Sequence, residues 1–219
     1  QDWAKRLADV NVSKDDLNLL VANYLFTEGY LSAAENFSRE AGLSSSSLSS
    51  SGSTDGAGAA LGDVDSIRSR MEIRRAVLRG QVESALDQVV DLDLEILDLD
   101  PSLHFHLLQQ HLIELIRAGE VGHALAFAQH ELAPLAEEHP RFLKELERTM
   151  ALLAFELPVL AALPPMPPHI SSLLDPSQRL RTARELNAAI LHAQGHPAES
   201  KLPQLLGVMT WGEGLLNEK

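Results

Sequence analysis

Nine histidines and no cysteine set the chemistry open to this chain of 219 residues. Without thiols there is no disulfide framework, no thiolate zinc site and no cysteine nucleophile. His104, His106 and His111 share one expected helix, with His123 and His130 close behind. A helical zinc pair needs ligands at i and i+4 and a third donor, as in HExxH. The spacings here are two, five and seven. Two residues on a helix point about 200° apart, so His104 and His106 cannot chelate together. His104 and His111 share a face, but we read the histidines as surface or boundary residues and expect no metal. Glu114, Glu131, Glu137 and Glu138 could supply paired carboxylates. No positioned nucleophile or glycine-rich loop accompanies them, and carboxylates on a helical surface are ordinarily solvated. The acidic run from Asp87 to Asp100 lacks the glycine and closing glutamate of a calcium loop. GxxxxGK[ST], GxGxxG and GxSxG are all absent. No cofactor is expected, and catalysis is not the expected role.

The elements that carry these residues are helices. Apolar residues recur three and four apart nearly throughout, and period-2 runs are scarce, so the expected fold class is all-α. Ser13 with Asp16 forms a start signal. Leu17, Leu20, Val21, Tyr24 and Leu25 follow as one stripe, Gly29 stops the helix, and Ser32 with Glu35 restarts it. Such a short hairpin cannot bury enough surface alone, so the stripe needs a partner in this chain or in a second copy. Residues 44–60 are nearly all Ser, Gly, Ala and Thr and read as a flexible spacer rather than a modification site.

Further helices are expected over 65–79, with Ile67, Met71 and Leu78 inward, and over 82–90. The stretch 91–100 alternates acid and apolar residues like a half-buried strand, or a segment laid across a groove. Pro101 opens a helix running to Ala118, and a short one spans 121–130. Residues 141–157 read as a long helix, apolar on two sides and therefore central. The prolines of Leu163–Pro168 read as a rigid connector rather than a ligand for a proline-reading domain. Helices over 178–193 and 202–211 follow.

The charge bounds the partners. Eighteen Lys and Arg against 31 Asp and Glu give a net charge of -13, which argues against nucleic acid and anionic membrane surfaces. No run of 18 apolar residues occurs, and Gln1-Asp2-Trp3-Ala4 has no leader character, so a soluble intracellular protein is expected. The helices carry more Leu, Ile and Phe than a small bundle must hide, which points to hydrophobic helix-on-helix interfaces.

Particular residues resemble a known family. Leu17, Leu20, Val21, Tyr24-Leu25, Gly29-Tyr30, Ala33-Ala34, Phe37 and Glu40 resemble a LisH dimerisation motif over 12–43. After a linker at 44–62, Ile67-Arg68, Gly80, Ala85-Leu86 and the stretch Leu103 to Arg117 resemble a CTLH domain over 63–119. Ala124–Gln129, Leu143–Phe155 and Glu185–Leu191 resemble a CRA domain over 120–216. The chain is similar to the small scaffold subunits of GID/CTLH ubiquitin ligases, which join RING-bearing subunits to the substrate-receptor arm for proteasomal degradation. It has no cysteine from which to build a RING.

The resemblance implies an all-α, non-catalytic adaptor, cytoplasmic and nuclear, that self-associates through LisH. Its implied partners are RING-bearing CTLH subunits, a SPRY-containing LisH-CTLH-CRA subunit, and an armadillo-repeat subunit carrying the substrate receptor. By that analogy Leu20, Tyr24, Leu25, Tyr30 and Phe37 with Leu205, Leu206 and Trp211 form one interface. Phe105, Leu108, Leu112, Phe142 and Leu146 support another. A LisH-type transcriptional co-repressor or cytoskeletal adaptor is the alternative.

Overall fold

A computed structural model describes residues 12–43, 64–155 and 166–217. Among them every regular element is helical: α1 Lys14–Thr27, α2 Leu31–Glu40, α3 Val64–Leu78, α4 Val82–Leu92, α5 Glu95–Leu99, α6 Pro101–Arg117, α7 Val121–Phe127, α8 Ala133–Glu138, α9 Pro140–Met150, α10 Pro168–Ser171, α11 Pro176–Ala193 and α12 Lys201–Asn217. A π-helical turn, Ala128–Leu132, joins α7 to α8, and 3-10 turns follow α9 and α10. The expected linker, and the proline segment before Met166, lie outside the described residues.

The chain divides into two compact units, one of residues 1–71 with 194–219 and the other of residues 72–193. In the first, the α1–α2 hairpin is held by a small core of Ala22, Phe26 and Ala34 with Ile67 of α3. Ser13 caps α1 in a reciprocal box with Asp16, its hydroxyl accepting the Asp16 amide at 3.1 Å. Gly29, at φ +75°, makes the turn, and a Cβ there would lie 2.5 Å from Met71 Sδ. The Ser32–Glu35 restart is not used: α2 starts from Tyr30 without a side-chain cap. Arg70 Nη2 donates to the Phe26 carbonyl at 3.2 Å, fixing α3 to the end of α1. The hairpin finds part of its missing partner within the chain, because α12 also packs along α1, where the Lys201 amide donates to Asn23 Oδ1.

The second unit is built round α6. One of its faces joins α7, α8 and α9 in a core of Phe105, Leu112, Ile113, Leu132, Phe142 and Leu152. The Phe105 and Phe142 rings stack at 4.4 Å with 6° between their planes. The opposite face packs Leu103 and Leu107 against α4, α5 and α11. The 91–100 stretch is not a strand. Asp93 is extended, and α5 then turns Ile96 and Leu97 inward while Leu94 and Leu99 stay exposed. The expected long central helix over 141–157 stops at Met150, where 3-10 geometry begins. Its burial is one-sided, with Phe142, Leu146 and Thr149 inward and Leu143 outward. Leu78, expected inward, is exposed.

Candidate functional site

Interaction surface is the candidate site. Among the described residues no three His, Asp or Glu groups gather as a metal site, and no helix is long and apolar enough to cross a membrane.

In the first unit, α12 reads KLPQLLGVMTWGEGLLN. Its apolar side chains face solvent almost throughout. Leu205, Leu206 and Trp211 are 53%, 50% and 68% exposed, and Val208, Met209, Leu215 and Leu216 are exposed beside them. Gly207, Gly212 and Gly214 lie inside the same helix, and each costs roughly 1 kcal/mol against alanine. Propensity therefore does not hold this helix; packing must. On α1 the exposed Leu17 and Leu19 and the half-buried Leu20, Tyr24 and Leu25 extend the apolar surface. Tyr30 is exposed with its ring 6.3 Å from that of Tyr24, and Phe37 is half-buried. Every member of this predicted group thus retains some solvent access. Sequence reasoning missed Val208, Met209, Leu215 and Leu216. The expected helix ended at residue 211, whereas α12 continues to Asn217.

The other predicted group is placed differently. Phe105, Leu108, Leu112, Phe142 and Leu146 are all buried in one core cluster. They are core residues rather than exposed contacts, between 0% and 8% exposed, and they position the surfaces of α6 and α9 from beneath.

Two polar ties fix that scaffold. Glu114 on α6 takes a two-pronged bond from Arg179 on α11, at 2.8 Å from Nε and 2.5 Å from Nη2, and a third from Gln110 Nε2 at 2.7 Å. Burial pushes the Glu114 carboxyl up, but the Arg179 and Gln110 hydrogen bonds outweigh it and hold the group below its ordinary range. Gly80, at φ +82°, lies against this pair, and a Cβ would stand 2.9 Å from Arg179 Nη2 and 3.0 Å from Glu114 Oε2.

The second tie is His106, which had read as a boundary residue. Its Nδ1 lies 2.7 Å from Glu185 Oε2 on α11, and its Nε2 lies 3.6 Å from Glu145 on α9. The Glu185 hydrogen bond raises the imidazole above its ordinary value against the opposing effect of burial. The same bond lowers Glu185. Both ties are clamps between helices.

Comparison with known proteins matches this architecture. Residues 66–215 match the family described as the CTLH/CRA domain C-terminal to the LisH motif. The Protein GID8 homolog of Arabidopsis thaliana is 46% identical over 219 residues, covering 100% of this chain and 81% of that protein. The Glucose-induced degradation protein 8 homolog of Dictyostelium discoideum is 46% identical over 218 residues, covering 100% of this chain and 86% of that protein. GID complex subunit 8 of Schizosaccharomyces pombe is 32% identical over 224 residues, covering 97% and 84%. With its family match spanning α3 to α12 and its likeness running the length of the chain, this protein belongs to the CTLH family, among the GID8-type members.

Proposed function

We propose that this chain is a non-catalytic scaffold subunit of a GID/CTLH-type E3 ubiquitin ligase, joining RING-bearing subunits to the substrate-receptor arm. The observation that carries the reading is α12, a helix of weak propensity whose apolar side chains are exposed around most of its girth. A stretch of this kind calls for a protein partner. The S. pombe relative's name, GID complex subunit 8, supplies the assembly.

Within that reading, 12–43 acts as the LisH dimerisation motif, 63–119 as CTLH and 120–216 as CRA, with 44–62 as the linker. The α1–α12 surface, with Leu20, Tyr24, Leu25, Tyr30, Phe37, Leu205, Leu206 and Trp211, meets the SPRY-containing subunit or a second copy. The faces of α6 and α9 that Phe105 and Phe142 support meet the RING-bearing subunits, and an armadillo-repeat subunit docks on the same scaffold. The protein works in cytoplasm and nucleus. The match across residues 66–215 favours this over a LisH-type co-repressor or cytoskeletal adaptor.

Size-exclusion chromatography with light scattering tests it, on the chain alone and mixed with a RING-bearing CTLH subunit. Self-association and a larger joint species are expected. A strict monomer that ignores the RING-bearing subunit overturns the reading.

A further inference from the structure

From residue 80 to residue 116 the chain carries eight Asp and Glu and no Lys or Arg. Five of those carboxylates stand on the outer faces of α4 and α5, within the second unit. Both helices bury their inner side chains in one core cluster, Val82, Ala85 and Val89 from α4 with Ile96 and Leu97 from α5. On the other side of α4, Glu83, Asp87 and Asp91 follow at four-residue steps, all exposed. At α5, Leu94, Glu95, Asp98 and Leu99 fall within about 140° of the helix circumference, and all four are exposed. Apolar side chains lie open among these acids: Val90, Leu94 and Leu99 are 42%, 61% and 75% exposed.

The fold uses only some of these acids. Asp93 Oδ1 accepts the Glu95 amide at 2.9 Å, and Asp100 Oδ1 caps α6 through the Ser102 and Leu103 amides. Glu83, Asp87, Asp91, Glu95 and Asp98 make no ion pair among the described residues. On α11, which packs against α5, Arg179 and Arg181 are paired with Glu114 and Glu185. Like charges four apart on a helix repel, and a leucine left three-quarters exposed contributes little to burial. One kind of contact relieves both: a surface that carries cations and apolar side chains together.

We propose that the outer face of α4 and α5 docks a basic amphipathic helix of another protein. Its Lys or Arg side chains, at four-residue steps, meet Glu83, Asp87 and Asp91, and its apolar side chains cover Val90, Leu94 and Leu99. The register fits, because four residues advance about 6 Å on either helix, so successive cations reach successive carboxylates. The charge of the face turns away nucleic acid and anionic lipid. Its leucines favour an occupant with an apolar side over a plain polycation. The inference is independent of the ligase reading, since it uses neither α12 nor the faces of α6 and α9.

The test is fluorescence anisotropy on the full chain with a labelled helical peptide of about 18 residues, built of Lys, Leu and Ala with Lys at four-residue steps beside Leu. A scrambled peptide of the same composition and one with Glu for every Lys are the comparators. Saturable binding of the Lys–Leu helix that weakens as salt rises is expected, with both comparators about tenfold weaker or more. Asp87→Lys with Asp91→Lys should lower that affinity about tenfold or more and turn the preference toward the Glu peptide. Leu94→Ser with Leu99→Ser should weaken binding as well, whereas Leu206→Ser with Trp211→Ser on α12 should leave it unchanged. Should a variant fail to fold, a photo-crosslinker at a leucine of the Lys–Leu peptide gives the answer on the unaltered chain, with crosslinks to residues 83–99 expected. Equal binding of the three peptides, unchanged affinity in the folded charge-reversed variant, loss of binding on changing α12, or crosslinks elsewhere overturns the proposal.

Discussion

Gly80→Ala and Gly119→Ala make a matched pair that separates backbone strain from loss of the clamp between α6 and α11. Both glycines follow a helix end in the second unit, at φ +82° and +78°. Both therefore impose the left-handed penalty on alanine, about 1–2 kcal/mol. Their surroundings differ. A Cβ on Gly119 meets nothing within 4 Å, whereas one on Gly80 comes within 3.2 Å of Arg179 Nη2 and of both Glu114 Oε2 and Cδ. The ion pair must shift, and its side chains are only 23% and 14% exposed, so water replaces the lost bonds poorly. Loss of hydrogen bonds to a charged group costs about 1.5–3 kcal/mol. Gly119→Ala should therefore lose about 1–2 kcal/mol and Gly80→Ala about 2.5–5 kcal/mol. Urea unfolding followed by circular dichroism reads both. In an Arg179→Met background the part of the extra cost that comes from the broken ion pair should disappear, so the Gly80→Ala penalty should shrink. Equal losses in the two single variants, or a full Gly80→Ala penalty without Arg179, would refute the reasoning.

Other outcomes follow from the same geometry. His106 holds its proton more readily in the folded chain than its ordinary 6.5. The stability contributed by its contacts with Glu185 and Glu145, against the opposing Arg181, is therefore full below pH 6.5 and fades as pH rises through the raised value. His106→Ala should flatten that part of the stability–pH curve, and an unchanged curve counts against the clamp. Phe105→Ala removes one ring of the Phe105–Phe142 stack from a fully buried site and should cost about 3–5 kcal/mol in urea unfolding. Ser13→Ala deletes the capping box of α1 and should cost about 1 kcal/mol, read as faster amide exchange in the first turn.

Helical periodicity made the fold class legible, along with most boundaries near capping residues, Pro101 and the positive-φ glycines. Which face of each helix turns inward was less legible. The stripe of Leu17, Leu20, Val21, Tyr24 and Leu25 was expected to need a partner in this chain or a second copy, and the apolar side chains of α1 buried within the chain are Ala22 and Phe26. Periodicity finds an apolar face but does not say whether the chain or a partner covers it. The end of α9 was misread because Ala151–Ala154 continue the apolar run while tightening to 3-10 geometry. The two clamps were invisible because their members are 65 and 79 residues apart in sequence. Composition gives no register between such distant helices. The apolar residues of α12 could have been found to Leu216, since three- and four-residue spacing persists through Val208, Trp211 and Leu215 across the glycines.

The most direct test of the scaffold account asks whether this chain bridges two arms. Purified RING-bearing CTLH subunits, immobilised, would be mixed with the armadillo-repeat subunit in the presence and absence of this chain, and retention of the armadillo-repeat subunit measured. The account predicts retention only when this chain is present. It also predicts that charging the α12 surface, as in Leu206→Glu with Trp211→Glu, weakens assembly while the circular dichroism of the second unit's helices stays unchanged. Full retention without the chain, or none with it, would contradict the account.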